Sequence, residues 1–233
     1  MTDTHAVALP ALDGRDPLGF LTALGTTVLT GGRLCFDDLD ATATLHSRHA
    51  SIDAIVDTLT EIVHHMDDDA LLPGVPPGFP KSKAGSGPDP MRVDRNDFRV
   101  LVDQYRSDPA ALAWMTSLVT DLSGDNKNRV TISAFMAPSG QQSIGTYFKT
   151  ALDLVRRHPA HLRHALTGWQ RVDGFSGEYL DHRALASAAD HPSGRSVESG
   201  VPGATWLAIM ALPLLRITGI RGRPAATTCH VRS

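Results

Sequence analysis

The segment Leu9-Pro10-Ala11-Leu12-Asp13-Gly14-Arg15-Asp16-Pro17-Leu18-Gly19-Phe20-Leu21-Thr22-Ala23-Leu24-Gly25 constrains the fold more than any other. It is a loop closing onto an apolar helix. Asp16 is placed to accept the first orphan amides as N-cap, and Pro17 suits the first helical position, where a missing N–H costs nothing. Leu18, Leu21 and Leu24 then fall on one face and point to a core, while Gly25 lets another element approach closely. Upstream, residues 7–12 alternate loosely and read as a first strand. The helix over 17–30 is stopped by Gly31-Gly32. Residues 33–37 and 41–46 read as two strands joined by an acidic turn around Asp38-Leu39-Asp40. Ser51 caps a further helix, with Ile52, Ile55, Val56, Leu59, Ile62 and Val63 at helical spacing. Strand, helix, strand, strand, helix matches most of a ferredoxin-like βαββαβ unit, and residues 130–135 are expected to supply its last strand.

An insertion separates the two. From Leu72-Pro73-Gly74-Val75-Pro76-Pro77-Gly78-Phe79-Pro80 to Pro90 its proline and glycine content opposes regular structure, and the stretch near 73–90 is expected to be flexible. Asp94 and Asp108 each cap a helix. Pro109 opens the second, whose apolar side is Leu112, Met115, Leu118, Val119 and Leu122. Beyond Phe135 helices are predicted over 139–157, 159–166 and 180–189, with a loop over 168–178 and a buried helix over 201–217 kinked at Pro213. The tail from Gly219 is polar, and an end so soon after a core helix is expected of a shortened form of a longer protein. The expected fold is α+β. A sheet domain over 1–135 is followed by a helical region over 136–218 and a tail over 219–233.

The formal net charge is −3 over 233 residues, which opposes indiscriminate binding to nucleic acid or acidic membranes but leaves room for a local basic groove. Met1-Thr2-Asp3-Thr4-His5 has neither the basic nor the apolar region of a signal peptide. The longest apolar run, over 204–215, contains Pro213 and is too short to span a bilayer. The only cysteines, Cys35 and Cys229, form no metal-ligand pair and no disulfide framework. A cytoplasmic protein without membrane, metal or cofactor is the expectation.

Five segments have side chains able to carry chemistry. In His64-His65-Met66-Asp67-Asp68-Asp69 the adjacent histidines diverge by about 100° on a helix, so a solvated helix end accounts for them. His158, His161 and His164 are better spaced to share a face, but nothing fixes a further metal ligand. Ser123-Gly124-Asp125-Asn126-Lys127-Asn128-Arg129 lacks the glycine position and closing glutamate of a calcium loop and reads as a turn with two cations. Met136-Ala137-Pro138-Ser139-Gly140-Gln141-Gln142 leads from a strand into a helix. Its free N–H groups suit a phosphate and its amides can bond bases, although an ordinary helix cap fits as well. Gly174-Phe175-Ser176-Gly177-Glu178-Tyr179-Leu180-Asp181-His182-Arg183 gathers an acid, a phenol, a histidine and an arginine. Glu178, Asp181 and His182 suit acid–base work, or a hydrogen-bonded structural junction.

The opening Leu12-Asp13-Gly14-Arg15-Asp16-Pro17-Leu18-Gly19-Phe20-Leu21 with Ala23-Leu24-Gly25, the loop Pro138-Ser139-Gly140-Gln141-Gln142 and the late helix over 206–215 together resemble the large-subunit-like or helicase-extension proteins of type I-G (formerly I-U) CRISPR loci. The resemblance implies a non-enzymatic subunit of an RNA-guided antiviral effector complex, in which base pairing reads sequence while protein contacts backbone and shape. Its partners would be guide RNA, target DNA and other effector subunits. The residues expected to bind nucleic acid are Ser139, Gly140, Gln141 and Gln142 with the cations Lys127, Arg129, Lys149, Arg156 and Arg157, and Lys81 and Lys83 closing over a strand. Two other readings compete. One is a metal-dependent nuclease or hydrolase using His158, His161 and His164, or Glu178, Asp181 and His182. The other is a structural scaffold that binds a partner protein.

Overall fold

The computed structural model describes residues 4–75, 79, 93–124, 127–136, 143–184, 197–220 and 223–228. The protein is α+β, with small antiparallel sheets. By contacts it divides into two units, Met1–His65 with Thr150–Ala211, and Met66–Lys149 with Leu212–Ser233. The expected linear boundary at 135/136 is not the line along which they separate.

In the first unit β1 (His5–Asp13), α1 (Pro17–Thr30), β2 (Arg33–Phe36), β3 (Thr42–Ser47) and α2 (Ile52–His65) follow in the expected order. Asp16 caps α1 through Oδ1, which accepts from the Leu18 and Gly19 amides at 3.0 Å each. The sheet order is β1-β3-β2, antiparallel throughout. Val7, Leu9, Ala43 and Leu45 are buried on the inner face, where α1 lies, while Ala6, Ala8 and Pro10 alternate outward. The same unit holds α6 (Ala160–Thr167), the short pair β6 (Val172–Asp173) and β7 (Ser199–Gly200), and α7 (Pro202–Met210). Every residue of α7 is buried, as its all-round apolar sequence requires.

The helix pair α1–α7 is close. A Cβ on Gly25 would run into the Leu207 carbonyl, with its carbon only 2.7 Å away. Thr22 Oγ1 donates within α1 to Leu18 O at 2.7 Å and lies 3.0 Å from Ala204 O of α7. This pairing corrects the expected core stripe. Leu18 and Leu21 are buried, but Leu24 is only half-buried, and Ala23 is the fully enclosed residue instead.

The second unit contains α3 (Arg95–Gln104), α4 (Pro109–Leu118), the hairpin of β4 (Val119–Gly124) and β5 (Val130–Ile132), and the hairpin of β8 (Leu215–Ile220) and β9 (Arg223–Thr228). Asp94 and Asp108 cap α3 and α4 as expected. Trp114 packs edge-on to Phe148 at 5.5 Å. Helix α5 (Ile144–Arg157) runs from this unit into the first.

Three expectations are corrected. Residues 130–132 pair with β4 and not with the N-terminal sheet, so they do not complete a βαββαβ unit. Val119 and Leu122 belong to a strand. The helix ends at Leu118, where Val119 and Thr120 are β-branched and favour extension, and Leu122 is exposed. The helix over 201–217 ends at Met210. Pro213 lacks the N–H to continue it, a 3-10 turn at Leu212–Leu214 follows, and residues 215–220 form β8, so the supposed tail contributes a hairpin.

Candidate functional site

The structure distributes the expected nucleic-acid residues unevenly. Lys81, Lys83, Ser139, Gly140, Gln141 and Gln142 lie outside the described residues. Lys127 and Arg129 are exposed at the start of β5, held by backbone pairing of Arg129 with Asp94 and by the Arg95 N–H donating to Asn128 O at 3.2 Å. Lys149, Arg156 and Arg157 lie on α5, which is strongly two-sided. Ile144, Phe148, Ala151, Leu152 and Val155 form its buried face. Lys149 and Arg156, seven residues apart, fall on one line along the opposite face. Lys149, Thr150 and Arg157 are exposed, and Arg157 Nε donates to the Asp153 carbonyl at 3.0 Å, which fixes the guanidinium against the last turn. Cations in a last turn also complement the helix dipole.

The segment from Gly174 to Arg183 is a tightly bonded junction within the first unit. Gly174 and Gly177 have φ of 78° and 67°, and Glu178 and Tyr179 follow at 50° and 62°. Two consecutive left-handed non-glycine residues cost about 1–2 kcal/mol each and persist only where the surroundings enforce them. The enforcement is visible. Phe175 is buried, and a Cβ on Gly200 would fall 2.8 Å from the Gly177 nitrogen. Asp181, 1% exposed, accepts from Arg171 Nη1 at 2.7 Å through Oδ2 and from the Arg183 amide at 2.9 Å through Oδ1. The same Arg171 nitrogen reaches Ser199 O at 2.6 Å, and Ser199 Oγ donates to Asp173 Oδ1 at 2.7 Å. Arg183 extends the network to the start of α1, with Nη2 2.8 Å from Asp16 Oδ2. That contact is an ion pair by distance without the alignment of a hydrogen bond.

Such geometry determines what the cluster can do. Both Asp181 oxygens are engaged, so the carboxylate anchors Arg171 and is not placed to take a proton from a substrate. His182 is exposed. Of the two readings of this segment, the structural junction is the one the bonding favours. Arg171 and Ser199 were not singled out from the sequence, and Asp16 was read there only as a helix cap. Arg171 meets Asp181 ten residues on, Ser199 meets Asp173 and Asp16 meets Arg183, and none of these pairings has a local signal.

The histidines of α6 and its entry also come together, with His158–His161 and His161–His164 ring centroids 5.9 and 6.3 Å apart, edge to face. The Nδ1 atoms of His161 and His164 are buried without hydrogen-bond partners. Burial, then the neighbouring His158 and His164, holds His161 below the ordinary 6.5. Among the described residues no three His, Cys, Asp or Glu side chains are arranged to hold a metal ion. The hydrolase reading of either cluster therefore lacks a ligand set. His64 and His65 end α2 in exposed positions, as a solvated helix end would. No helix among the described residues is long and apolar enough to cross a membrane.

No protein-family model, curated protein or solved structure matches the chain.

Proposed function

We propose that this protein is a non-enzymatic subunit of a type I-G CRISPR effector complex, acting in the cytoplasm, and that it contacts guide RNA or target DNA through the basic side of α5. The observation that carries the reading is the two-sided helix itself. One face is buried, and the other has Lys149, the half-buried Arg156 and Arg157 with Thr150 against a single acid, Asp153. Cations and hydroxyls of this kind bond phosphate oxygens and position a protein on a backbone without reading sequence. The resemblance of the opening Asp13-Gly14-Arg15-Asp16-Pro17 segment to CRISPR-locus proteins supplies the biological setting. The β1-β3-β2 sheet with α1 and α2 is read as the first five elements of a ferredoxin-like unit, serving as scaffold.

Fluorescence anisotropy with labelled single-stranded RNA and duplex DNA tests the reading, using the full chain alone and with its effector subunits. Lys149→Glu/Arg156→Glu/Arg157→Glu is expected to weaken binding by at least about tenfold, with melting behaviour kept. Absence of binding at low salt in every combination, or equal affinity of the variant, would overturn it.

A further inference from the structure

We propose that β2 is the seam of a homodimer, in which a second copy of this chain adds its own β2 antiparallel to the first and turns the three-stranded sheet into six strands. The inference is independent of the nucleic-acid reading. The order β1-β3-β2 leaves two sheet edges. An edge strand offers unpaired N–H and C=O groups, and monomeric proteins blunt it with proline, bulges or charges. β1 is blunted in this way. Pro10 lies within it, and its register with β3 shifts between Leu9 and Asp13. β2, Arg33-Leu34-Cys35-Phe36, has neither proline nor bulge, and its one charge, Arg33, stands at its end.

The backbone sets how a copy would pair. The Asp37 N–H donates to Thr42 O at 3.0 Å, continuing the register in which Phe36 faces Ala43. Hydrogen-bonded and non-hydrogen-bonded pairs alternate along an antiparallel ladder. Arg33, Cys35 and Asp37 therefore direct their backbone groups to β3, and Leu34 and Phe36 direct theirs to the open edge. An antiparallel copy satisfies both outward residues when Leu34 of each chain stands opposite Phe36 of the other. That register places Cys35 opposite Cys35 as a close, non-hydrogen-bonded pair and Arg33 opposite Asp37 at both ends.

The stretch Arg33-Leu34-Cys35-Phe36-Asp37 is thus self-complementary in charge and in apolar character about its centre, as a two-fold interface requires. Arg33 and Asp37 are both exposed. The edge also has an apolar flank. Phe36 stacks on Phe20 of α1 at 5.7 Å, and on α1 Phe20, Leu24 and Val28 repeat every fourth residue, with Phe20 39% and Val28 45% exposed. A partner at the seam would shield that stripe.

Sedimentation equilibrium of the full chain carrying Cys229→Ser, which leaves Cys35 as its one thiol, tests the proposal. The expected mass at high micromolar concentration is twice the 25.0 kDa of one chain. Diamide, which takes up the two thiol hydrogens, should give a disulfide-linked dimer whose non-reduced peptides join Cys35 to Cys35. Leu34→Pro removes an N–H that faces outward and should return the chain to a monomer with its fold kept. If that variant fails to fold, Arg33→Glu, at an exposed site, is expected to weaken association by about tenfold through like-charge opposition. A monomer at all concentrations would overturn the proposal. So would a dimer that resists both Leu34→Pro and Arg33→Glu and is not linked through Cys35.

Discussion

Gly25 has no room for a methyl group, because the Leu207 carbonyl of α7 occupies the position. Gly25→Ala is therefore expected to lower stability by about 1–3 kcal/mol, the range for overpacking a core, measurable by urea unfolding. Leu21→Ala on the same helix leaves a cavity and should cost about 2–5 kcal/mol. A neutral Leu21→Ala would place α1 on the surface. At the junction, Arg171→Ala strands the buried Asp181 carboxylate and should cost about 3 kcal/mol, whereas removing both groups as Arg171→Leu/Asp181→Leu should cost less. A double-mutant cycle in denaturant separates the two. Local chemistry of this kind was legible in the sequence wherever one residue decides it. Asp16, Asp94 and Asp108 all cap helices as their positions next to apolar or proline-led runs suggested. Arg171 was not legible, because its value depends on Asp181 and Ser199 and nothing in its own neighbourhood marks it.

One histidine ties two elements of the first unit together. His49, buried after β3, sits between Ser47 Oγ at Nδ1, 3.1 Å, and Thr58 Oγ1 of α2 at Nε2, 3.0 Å. The Thr58 hydroxyl also donates to Ala54 O at 3.1 Å, so it accepts from Nε2–H, and Nδ1 accepts from Ser47. Burial first, then the Arg48 charge, holds His49 below the ordinary 6.5, and His161 is lowered as well. A histidine whose folded pKa is depressed binds fewer protons folded than unfolded as pH falls, so its contribution to stability holds above the unfolded value and is lost below it. The melting temperature is expected to fall between pH about 7.5 and about 5, and His161→Gln should flatten that fall. Differential scanning calorimetry across the range checks both, and a pH-independent difference between wild type and His161→Gln would contradict it. Among the elements, strands hidden in helical spacing were the least legible. Leu118, Val119 and Leu122 fit a helical stripe as well as a strand, and only pairing with β5 decides between them. Residues 215–217 were read as the end of a helix and 219–220 as tail, since nothing local reveals the partner strand β9.

On the scale of the whole chain, each compact unit is assembled from distant segments, and this was not legible from boundaries in composition. The sequence suggested a linear division at 135/136, with residues 73–90 as an insertion within the first domain. The actual division depends on α1 meeting α7, nearly two hundred residues later, as the Thr22–Ala204 contact records. The α5 cations were legible individually, but their common face emerges only with the helix bounds. The most direct test of the proposed function is the salt dependence of nucleic-acid affinity. Single-strand binding should weaken with log[salt] at a slope near −0.7 for each phosphate neutralised, so engagement of three α5 cations gives a slope of about −2. Arg156→Ala/Arg157→Ala is expected to reduce that slope by about 1.4. An affinity independent of salt, or a slope unchanged by the double substitution, would contradict a nucleic-acid role for this helix.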